Sequence, residues 1–126
     1  MLDLGCNEGF FCGKALQHGA STVYGIEQNY RLADAAGVRF PHADILNQSW
    51  EAPWPEEDWD VVLMLSAVHY VEDQPRLFRR IAQSLAVGGI FVLECGISDM
   101  PGYGWQRATR SDGSTVRFPS LSLIPI

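Results

Sequence analysis

The chain has 126 residues, of which 47% are hydrophobic, and a formal net charge of -6. This length corresponds to one domain, and an apolar fraction in the ordinary globular range excludes a disordered or low-complexity protein. No apolar run approaches the roughly 18–20 residues of a membrane-spanning helix, and the first residues do not resemble a signal peptide, so we expect a cytoplasmic protein with no membrane partner.

Short apolar runs alternate with helix-like stretches in the first part of the chain. Residues 1–4 predict a clipped strand, and residues 10–16 follow with a helical period that the pair His18-Gly19 ends. Residues 21–27 are rich in β-forming side chains and predict a second strand.

A second helix and a third strand are predicted next. Asn29 is a suitable cap for a short helix through Ala36, with Gly37 as its stop. Residues 38–42 predict a weaker strand, and residues 46–58 predict a loop or a helix with broken ends.

Two strands and one helix complete the predicted core. Residues 60–66 form a continuous apolar run, which is typical of a strand covered on both faces. Pro75 suits the first turn of a helix reaching about Leu85, and residues 90–94 predict the fifth strand after Gly88-Gly89. Strands that alternate with helices predict an α/β fold, namely a doubly wound, mostly parallel sheet with helices on both faces and about five strands.

The composition changes after residue 95. Residues 96–126 are rich in glycine and proline, have no helical period and contain only a faint strand at 115–118. The predicted organisation is therefore a core at 1–95 followed by a loop-rich segment at 96–126. This segment is interpreted as a substrate-recognition element or as truncated closing strands.

Four features fall at the carboxyl ends of predicted strands, where open parallel sheets bind ligands. They are residues 3–9 after strand one, Glu27 at the end of strand two, residues 43–45 after strand three and residues 65–70 after strand four. Small residues in the first feature let the backbone pass close beneath a ligand. Glu27 is placed to accept hydrogen bonds from a ribose diol.

A dinucleotide fingerprint that starts at Gly5 would need glycines where this chain has Asn7 and Phe10. The glycine that allows tight packing under a pyrophosphate is missing, and no Gly-Lys-Ser/Thr of a P-loop is present. This loop therefore does not match a binding site for a nicotinamide or flavin dinucleotide, or for a nucleotide held by a P-loop.

The segment Leu-Asp-Leu-Gly-Cys-Asn-Glu-Gly-Phe-Phe at residues 2–11 closely resembles the first motif of class I S-adenosylmethionine-dependent methyltransferases. The resemblance continues in the right order through residues 23–27, 42–45, 60–66 and 85–94. It implies a Rossmann-like fold and methyl transfer from S-adenosylmethionine to an O or N nucleophile. That cofactor has no phosphates, so its loop does not need a phosphate-cradling third glycine.

The resemblance also implies roles for particular residues toward the cofactor. Asp3 would help to hold the methionine end, Glu27 would accept from the two ribose hydroxyls, and Asp44 would accept from the adenine amino group. The loop beneath the cofactor would consist of Gly5, Cys6, Asn7 and Gly9. The Ile45 backbone would lie beside the adenine ring, and the backbone of Leu65 and Ser66 would face the methionine amine and the methyl group.

Five further residues are candidates on the acceptor side. His69 follows strand four, where a base would lie near the methyl group, although a structural or pocket-lining histidine is the competing interpretation. Tyr70 and Glu94 are candidate substrate contacts, and packing is the alternative for the tyrosine. Arg107 and Arg110 suit a carboxylate or phosphate, because the segment after strand five faces the substrate in similar enzymes.

The sequence thus favours a methyltransferase acting on a small molecule or glycan-type acceptor. A tRNA-modifying methyltransferase is the alternative, but Lys14 is the only lysine and no basic run is visible, which disfavours nucleic acid. A non-catalytic S-adenosylmethionine-binding module or fragment is the alternative of another class.

Three cysteines without a Cys-x-x-Cys pair give no disulfide framework, and no metal site is predicted.

The chain is short for a member of the family that it resembles. Such enzymes usually have seven strands and a helix before the first strand, whereas about five strands and no preceding helix are visible here. We therefore expect a minimal or truncated methyltransferase core. An open edge beside strand five would favour aggregation unless the tail or a partner covers it, which predicts stabilisation by the cofactor or by self-association into a homo-oligomer.

Overall fold

The computed structural model describes residues 1–55, 58–98 and 105–119. Five parallel strands form one sheet: β1 (Leu2–Leu4), β2 (Tyr24–Glu27), β3 (Asp44–Asn47), β4 (Trp59–Leu65) and β5 (Leu85–Glu94). Their order is β3-β2-β1-β4-β5, so the chain first moves to one side of β1 and later crosses to the other. A reversal of this kind defines a doubly wound sheet.

Three α-helices connect the strands: α1 (Phe10–Gln17), α2 (Tyr30–Arg39) and α3 (Gln74–Ser84). The first two follow β1 and β2, whereas α3 follows β4 after a short 3₁₀ turn (Val68–Tyr70). None of the described helices is both long and apolar enough to cross a membrane.

Different apolar clusters cover the two faces of the sheet, because successive side chains of a strand point to opposite faces. Leu2 and Leu4 are fully buried in the cluster that contains the apolar side of α3, whereas Asp3 between them contacts Cys12 of α1. The first cluster includes Val62, Met64, Leu77 and Ile81, and the second includes Cys6, Cys12, Val23 and Ala43. The predicted α/β fold, with a parallel sheet between helices, is confirmed.

The helix cap predicted at Asn29 is present, and α3 has a cap at Asp73 that was not predicted from the sequence. The Asn29 side chain accepts a hydrogen bond from the Arg31 N–H at 3.0 Å at the start of α2. At the start of α3, Asp73 accepts from the Arg76 N–H at 3.0 Å and Pro75 occupies the first turn. These caps satisfy amide groups that have no partner within the helix.

The prediction of a strand over residues 38–42 is wrong. The helix α2 continues through Gly37 to Arg39, and the Phe40 N–H still donates to the Ala36 carbonyl at 2.8 Å. The strand β3 begins only at Asp44. Pro41 lacks the N–H that a ladder needs, which explains why pairing starts after it.

The start of the fifth strand is also earlier than predicted. The helix α3 ends at Ser84, and β5 begins at Leu85 rather than after Gly88-Gly89. The pairing with β4 shifts register over this stretch, and Gly88 has a φ of 81°. The two glycines therefore mark an irregularity inside the strand, since glycine adopts positive φ without strain.

Two strands occupy the segment that was predicted to be loop-rich. β6 (Trp105–Thr109) and β7 (Thr115–Pro119) form an antiparallel hairpin, so the faint strand at 115–118 is confirmed and the loop prediction is wrong for 105–109. The Gln74 side chain donates to the carbonyls of Val68 and Arg117 at 2.9 and 3.1 Å, which ties the hairpin to the core. The rest of that segment, 99–104 and 120–126, lies outside the described residues.

One edge of the sheet is formed by β5. Within the part of the chain that the structure describes, no strand pairs with its outer side, because β6 and β7 form a sheet of their own. Val87, Ile90 and Val92 are exposed along it. The open edge expected from the sequence is thus present among these residues.

Two helical glycines give a matched test of the packing between α1 and α2. A Cβ on Gly37 would meet nothing within 4 Å, whereas a Cβ on Gly13 would lie 2.2 Å from the Phe40 ring. We expect Gly37→Ala to raise the free energy of unfolding by about 0.5–1 kcal/mol, because alanine is the better helix former. Gly13→Ala should lower it by about 1–3 kcal/mol through overpacking.

Urea unfolding followed by circular dichroism measures both changes. Equal stabilisation by the two substitutions would contradict the close packing of Phe40 on α1.

Candidate functional site

A cleft of about 850 Å³ opens at the carboxyl ends of β1, β2 and β4. It lies at the point where the strand order reverses, which is where doubly wound sheets bind ligands. Eight of the residues singled out from the sequence line it: Asp3, Gly5, Cys6, Asn7, Glu27, Leu65, Ser66 and Tyr70.

The loop after β1 forms the floor of the cleft by a close backbone approach. Gly5 has a φ of 85°, and a Cβ placed on it would lie 2.9 Å from the Cβ of Ala67. Only glycine fits this combination of positive φ and contact. Asn7 also has a positive φ of 52°, and its side chain accepts from the Glu8 N–H at 2.7 Å.

Glu27 ends β2 with both carboxylate oxygens fixed by backbone amides. The Asn7 N–H donates to Oε2 at 3.0 Å, and the Asn29 N–H donates to Oε1 at 2.8 Å. A carboxylate offers about four acceptor sites, so each oxygen can accept one more hydrogen bond. The side chain is therefore oriented in advance for a ligand that carries two donors.

Asp3 places a second carboxyl group at the base of the cleft. It is only 2% exposed, and the Cys12 thiol donates to Oδ2 at 3.9 Å. Burial raises the pKa of Asp3 to about 7; the thiol hydrogen bond opposes this shift, and the charge of Glu27 adds to it. The hydrogen bond to Cys6, burial and the charge of Asp3 raise the pKa of the Cys12 thiol as well.

Ser66 joins the ends of β4 and β5 beside the cleft. It has a φ of 54°, its N–H donates to the Glu94 carbonyl at 2.9 Å and its hydroxyl donates to the Glu94 carboxylate at 3.0 Å. Positive φ is uncommon for a residue other than glycine, and here two bonds to one partner hold it. Glu94 does not line the cleft itself, and its carboxylate is connected to the cleft by the hydrogen bond from the Ser66 hydroxyl.

The 3₁₀ turn and the hairpin bring four side chains together at one side of the cleft. The His69 ring lies 4.2 Å from the Tyr70 ring and 5.6 Å from the Phe118 ring, measured between centroids. The Arg110 guanidinium lies 4.8 Å from the centroid of the Tyr70 ring. Burial first, and the positive charge of Arg110 second, lower the pKa of His69.

Of these four side chains, only Tyr70 lines the cleft, so the structure does not bring His69 to its wall. The histidine Nδ1 is buried and has no hydrogen-bond partner among the described residues. Arg110 reaches the cleft only through its contact with Tyr70.

Four other predicted site residues lie elsewhere. Asp44 begins β3 in register with Tyr24, so it lies at the amino-terminal edge of the sheet, and the expectation that it follows a strand is wrong. The error has the same cause as the misplaced third strand, which starts after Pro41. Three further residues also do not line the cleft. Ile45 packs in the apolar cluster below the sheet, Gly9 lies where α1 packs against α2, and Arg107 lines a separate cavity beside Arg117.

Several lining residues were not singled out from the sequence. Phe10 and Phe11 begin α1 with rings that remain exposed at the cleft, and Trp50 lines it from the loop after β3. The remaining lining residues lie shortly after β1, β2 or β4, except for Arg39 at the end of α2: Glu8, Gln28, Asn29, Leu32, Ala67 and Arg39. No periodicity of the sequence marks Trp50, because its loop has neither helix nor strand.

The comparison with known families agrees with this geometry. The family described as "Methyltransferase domain" matches residues 2–93, which include all five strands in part or in full. The chain belongs to the methyltransferase domain family.

Three similar proteins extend the comparison. The S-adenosylmethionine-dependent methyltransferase from Mesorhizobium loti superposes with a TM-score of 0.81 and 27% identity, over 96% of this chain and 67% of that one. A DhpI–SAH complex superposes with a TM-score of 0.65 and 21% identity, over 96% of this chain and 61% of that one. The mitochondrial arginine-hydroxylase NDUFAF5 of Rattus norvegicus is 26% identical over 72% of this chain and 27% of its own length.

These findings identify a methyltransferase domain. The Mesorhizobium loti structure is described as S-adenosylmethionine dependent, and the DhpI structure is a complex with SAH. The domain spans about a quarter of the rat relative and two thirds of the Mesorhizobium loti structure. Among the described residues, no group of three or more histidine, cysteine or acidic side chains is placed to hold a metal ion.

The lowered pKa of His69 gives a test of the hairpin's position. Replacing Arg110 by Gln removes a positive charge that disfavours the imidazolium, so the pKa of His69 should rise. It should remain below its ordinary value, because burial is the larger cause. Titration of the His69 Cε1–H resonance by NMR measures it.

Arg110→Lys keeps the charge and should leave the pKa nearly unchanged, and Arg107→Gln is the control for removing an arginine from the same hairpin. A His69 pKa that is unaffected by Arg110→Gln would show that the two side chains are not close in solution.

Proposed function

We propose that this domain transfers a methyl group from S-adenosylmethionine to an O or N nucleophile of a small molecule, including glycan-type acceptors. The observation that carries the proposal is Glu27, whose two oxygens are oriented by backbone amides at the carboxyl end of β2. This arrangement suits the two vicinal hydroxyls of a ribose, and the glycine loop beside it leaves space for the adjoining part of the cofactor.

The remaining cofactor contacts follow from the lining of the cleft. Asp3 would hold the methionine ammonium group, and the backbone at Leu65 and Ser66 would border the methyl-bearing end. Asp44 and Ile45 lie at the other edge of the sheet, so Gln28 and Leu32, which line the cleft beyond Glu27, are better placed beside the adenine ring.

When bound, S-adenosylmethionine supplies an electrophilic methyl group on a positively charged sulfur. The protein's task is then to align the acceptor, because in-line displacement depends strongly on orientation. Tyr70 and the Ser66–Glu94 pair border the side of the cleft next to β4, and Arg110 over the Tyr70 ring offers a cation for an acidic acceptor.

A proton leaves the acceptor only if its nucleophile carries one. His69, whose lowered pKa keeps it neutral near pH 7, is the proposed base, although the acceptor or a bound water would have to reach it past Tyr70. Arg107, on a separate cavity, is not part of this proposal.

The volume of the cleft and the charge of the chain favour a small acceptor. A cleft of about 850 Å³ lies in the upper part of the roughly 300–1,000 Å³ range of small-molecule sites. A net charge of -6 opposes the phosphate backbone of tRNA. The alternative is a non-catalytic module. Such a module would also bind S-adenosylmethionine but would not transfer its methyl group.

The deciding experiment offers a radiolabelled methyl donor to small hydroxyl, amine and carboxyl compounds, to glycan-type acceptors and to tRNA. Transfer to a small molecule is the expected result, whereas transfer to tRNA alone would replace the acceptor assignment. Tight binding of S-adenosylmethionine without transfer to any acceptor would favour the module.

Removing the Glu27 carboxylate should weaken cofactor binding. We expect Glu27→Ala to reduce the affinity for S-adenosylhomocysteine by about 10- to 100-fold in calorimetry, because two hydrogen bonds to a charged group are lost at about 1.5–3 kcal/mol each before compensation by water. Glu27→Gln, which keeps one acceptor, should lie between Glu27→Ala and the wild type. Asp34→Ala, which removes an exposed carboxylate of α2 that does not line the cleft, is the control; an affinity of Glu27→Ala equal to that of the control would refute the ribose assignment.

Cofactor binding should also be linked to the ionisation of Asp3. Its pKa of about 7 means that the unliganded carboxyl is largely protonated at pH 6, whereas an ammonium group beside it favours the carboxylate. Binding therefore releases a proton, and the affinity should rise by up to about tenfold per pH unit below pH 7 and level off above it.

Calorimetry between pH 5.5 and 7.5, in buffers of different ionisation enthalpy, measures the released proton. The Asp3→Asn variant should bind more weakly and without this dependence. The same pH dependence in both proteins would assign the proton to another group.

A further inference from the structure

Trp50 forms a wall between the cofactor cleft and a second, smaller cavity of about 200 Å³. The side chain is 6% exposed, and its Cζ3 atom lies 3.7 Å from the position that a Cβ on Gly5 would occupy. A methyl group at Gly5 would be in van der Waals contact with the indole, so the ring lies beside the loop that forms the floor of the cleft. A displacement of this ring would change the shape of the cleft directly.

The loop that carries Trp50 has few bonds of its own to fix the ring. Between β3 and residue 55 it contains neither helix nor strand, and its internal hydrogen bonds are short-range. The Ala52 N–H donates to the Ser49 carbonyl at 3.0 Å, and the Gln48 side chain donates to the Pro53 carbonyl at 2.8 Å. These bonds shape the turn without attaching it to the sheet.

Arg80 of α3 adds polar contacts to the attachment that the buried Trp50 and Trp54 rings provide. Its guanidinium carbon lies 3.4 Å from the centroid of the Trp54 ring, and Nη1 donates to the carbonyls of Trp50 and Glu51 at 3.4 and 3.3 Å. Trp54 is itself 4% exposed, so the guanidinium covers a ring that belongs to the core. One side chain thus contacts the loop by stacking and by two long hydrogen bonds.

The position of Arg80 on α3 explains its reach. Leu77 lies three residues earlier and Ile81 one residue later, and both are buried in the core cluster that also contains Trp50 and Trp54. Arg80 is half-buried at the margin of this apolar face, where its stem packs and its guanidinium extends over the indole. Lysine could not do both, because stacking and donation to two carbonyls need the planar guanidinium.

We propose that Arg80 is a positioning residue: by holding the loop at Trp50 and Trp54, it fixes the Trp50 ring against the Gly5 loop and so sets the affinity for S-adenosylmethionine. The inference rests on the proposed function of the cleft. Arg80 itself does not line the cleft, so we assign its effect on the cofactor to its contacts with the loop that carries Trp50. Its loss should raise the KM for the cofactor and change kcat little, because no group on the acceptor side is altered.

Arg80→Gln tests this, with Arg79→Gln as the matched control. Arg79 is the neighbouring exposed arginine on the same helix, so both variants lose one positive charge from α3. We expect Arg80→Gln to weaken binding of S-adenosylhomocysteine about five- to twentyfold in calorimetry and Arg79→Gln to change it less than twofold. Arg80→Lys should recover only part of the loss.

Tryptophan fluorescence gives a readout that does not depend on the cofactor. Arg80→Gln should shift the emission to longer wavelength and increase acrylamide quenching, since Trp50 and Trp54 become more accessible, whereas Arg79→Gln should do neither. If Arg80→Gln does not fold, Trp54→Phe removes the larger stacking surface while keeping an apolar ring, and it should weaken binding about three- to fivefold.

The outcomes separate the two hypotheses. Wild-type affinity in Arg80→Gln, or in Trp54→Phe where that variant replaces it, overturns the positioning role while leaving the cofactor site in place. Failure of the wild type to bind S-adenosylhomocysteine overturns the proposed function itself, and the fluorescence difference between Arg80→Gln and Arg79→Gln then decides whether Arg80 holds the loop.

Discussion

The contact between Gly5 and Ala67 is the constraint on which the cleft depends. β1 and β4 are neighbours in the sheet, yet the chain leaves them toward opposite sides, and the loops after both strands must pass each other closely. A side chain at Gly5 would separate them and remove the floor of the cleft. With glycine there, the loop after β1 turns beneath the ligand site and brings the Asn7 amide to Glu27.

Two carboxyl groups at the cleft have different surroundings. Glu27 receives two backbone N–H donors at the end of β2, whereas Asp3 lies within the sheet and, among the described residues, receives a thiol donor. Desolvation without matching donors raises the pKa of Asp3. The cleft thus combines an acceptor oriented by backbone amides with a buried carboxyl group whose pKa lies near neutral pH.

The sequence predicted the fold class because each element was marked locally, and for the same reason eight of the residues singled out from it line one cleft. Runs such as 60–66 and caps such as Asn29 act over a few residues, and Glu27 ends a strand with clear β-forming side chains. Asp44 was misplaced because Pro41 delayed the third strand, an effect that only pairing with β2 decides. Trp50 and Arg80 were missed as site residues because their contact joins a loop to a helix thirty residues away.

The strands of the sheet also differ in how well they are protected from solvent. β1, the shortest strand, has a partner on both sides and no residue more than 2% exposed, whereas β5, the longest, has an open edge among the described residues. Amide hydrogen exchange should therefore be slowest in the shortest strand and fastest along the outer side of the longest one. Local opening would begin at the edge strands of the sheet and reach the loop after β1 last.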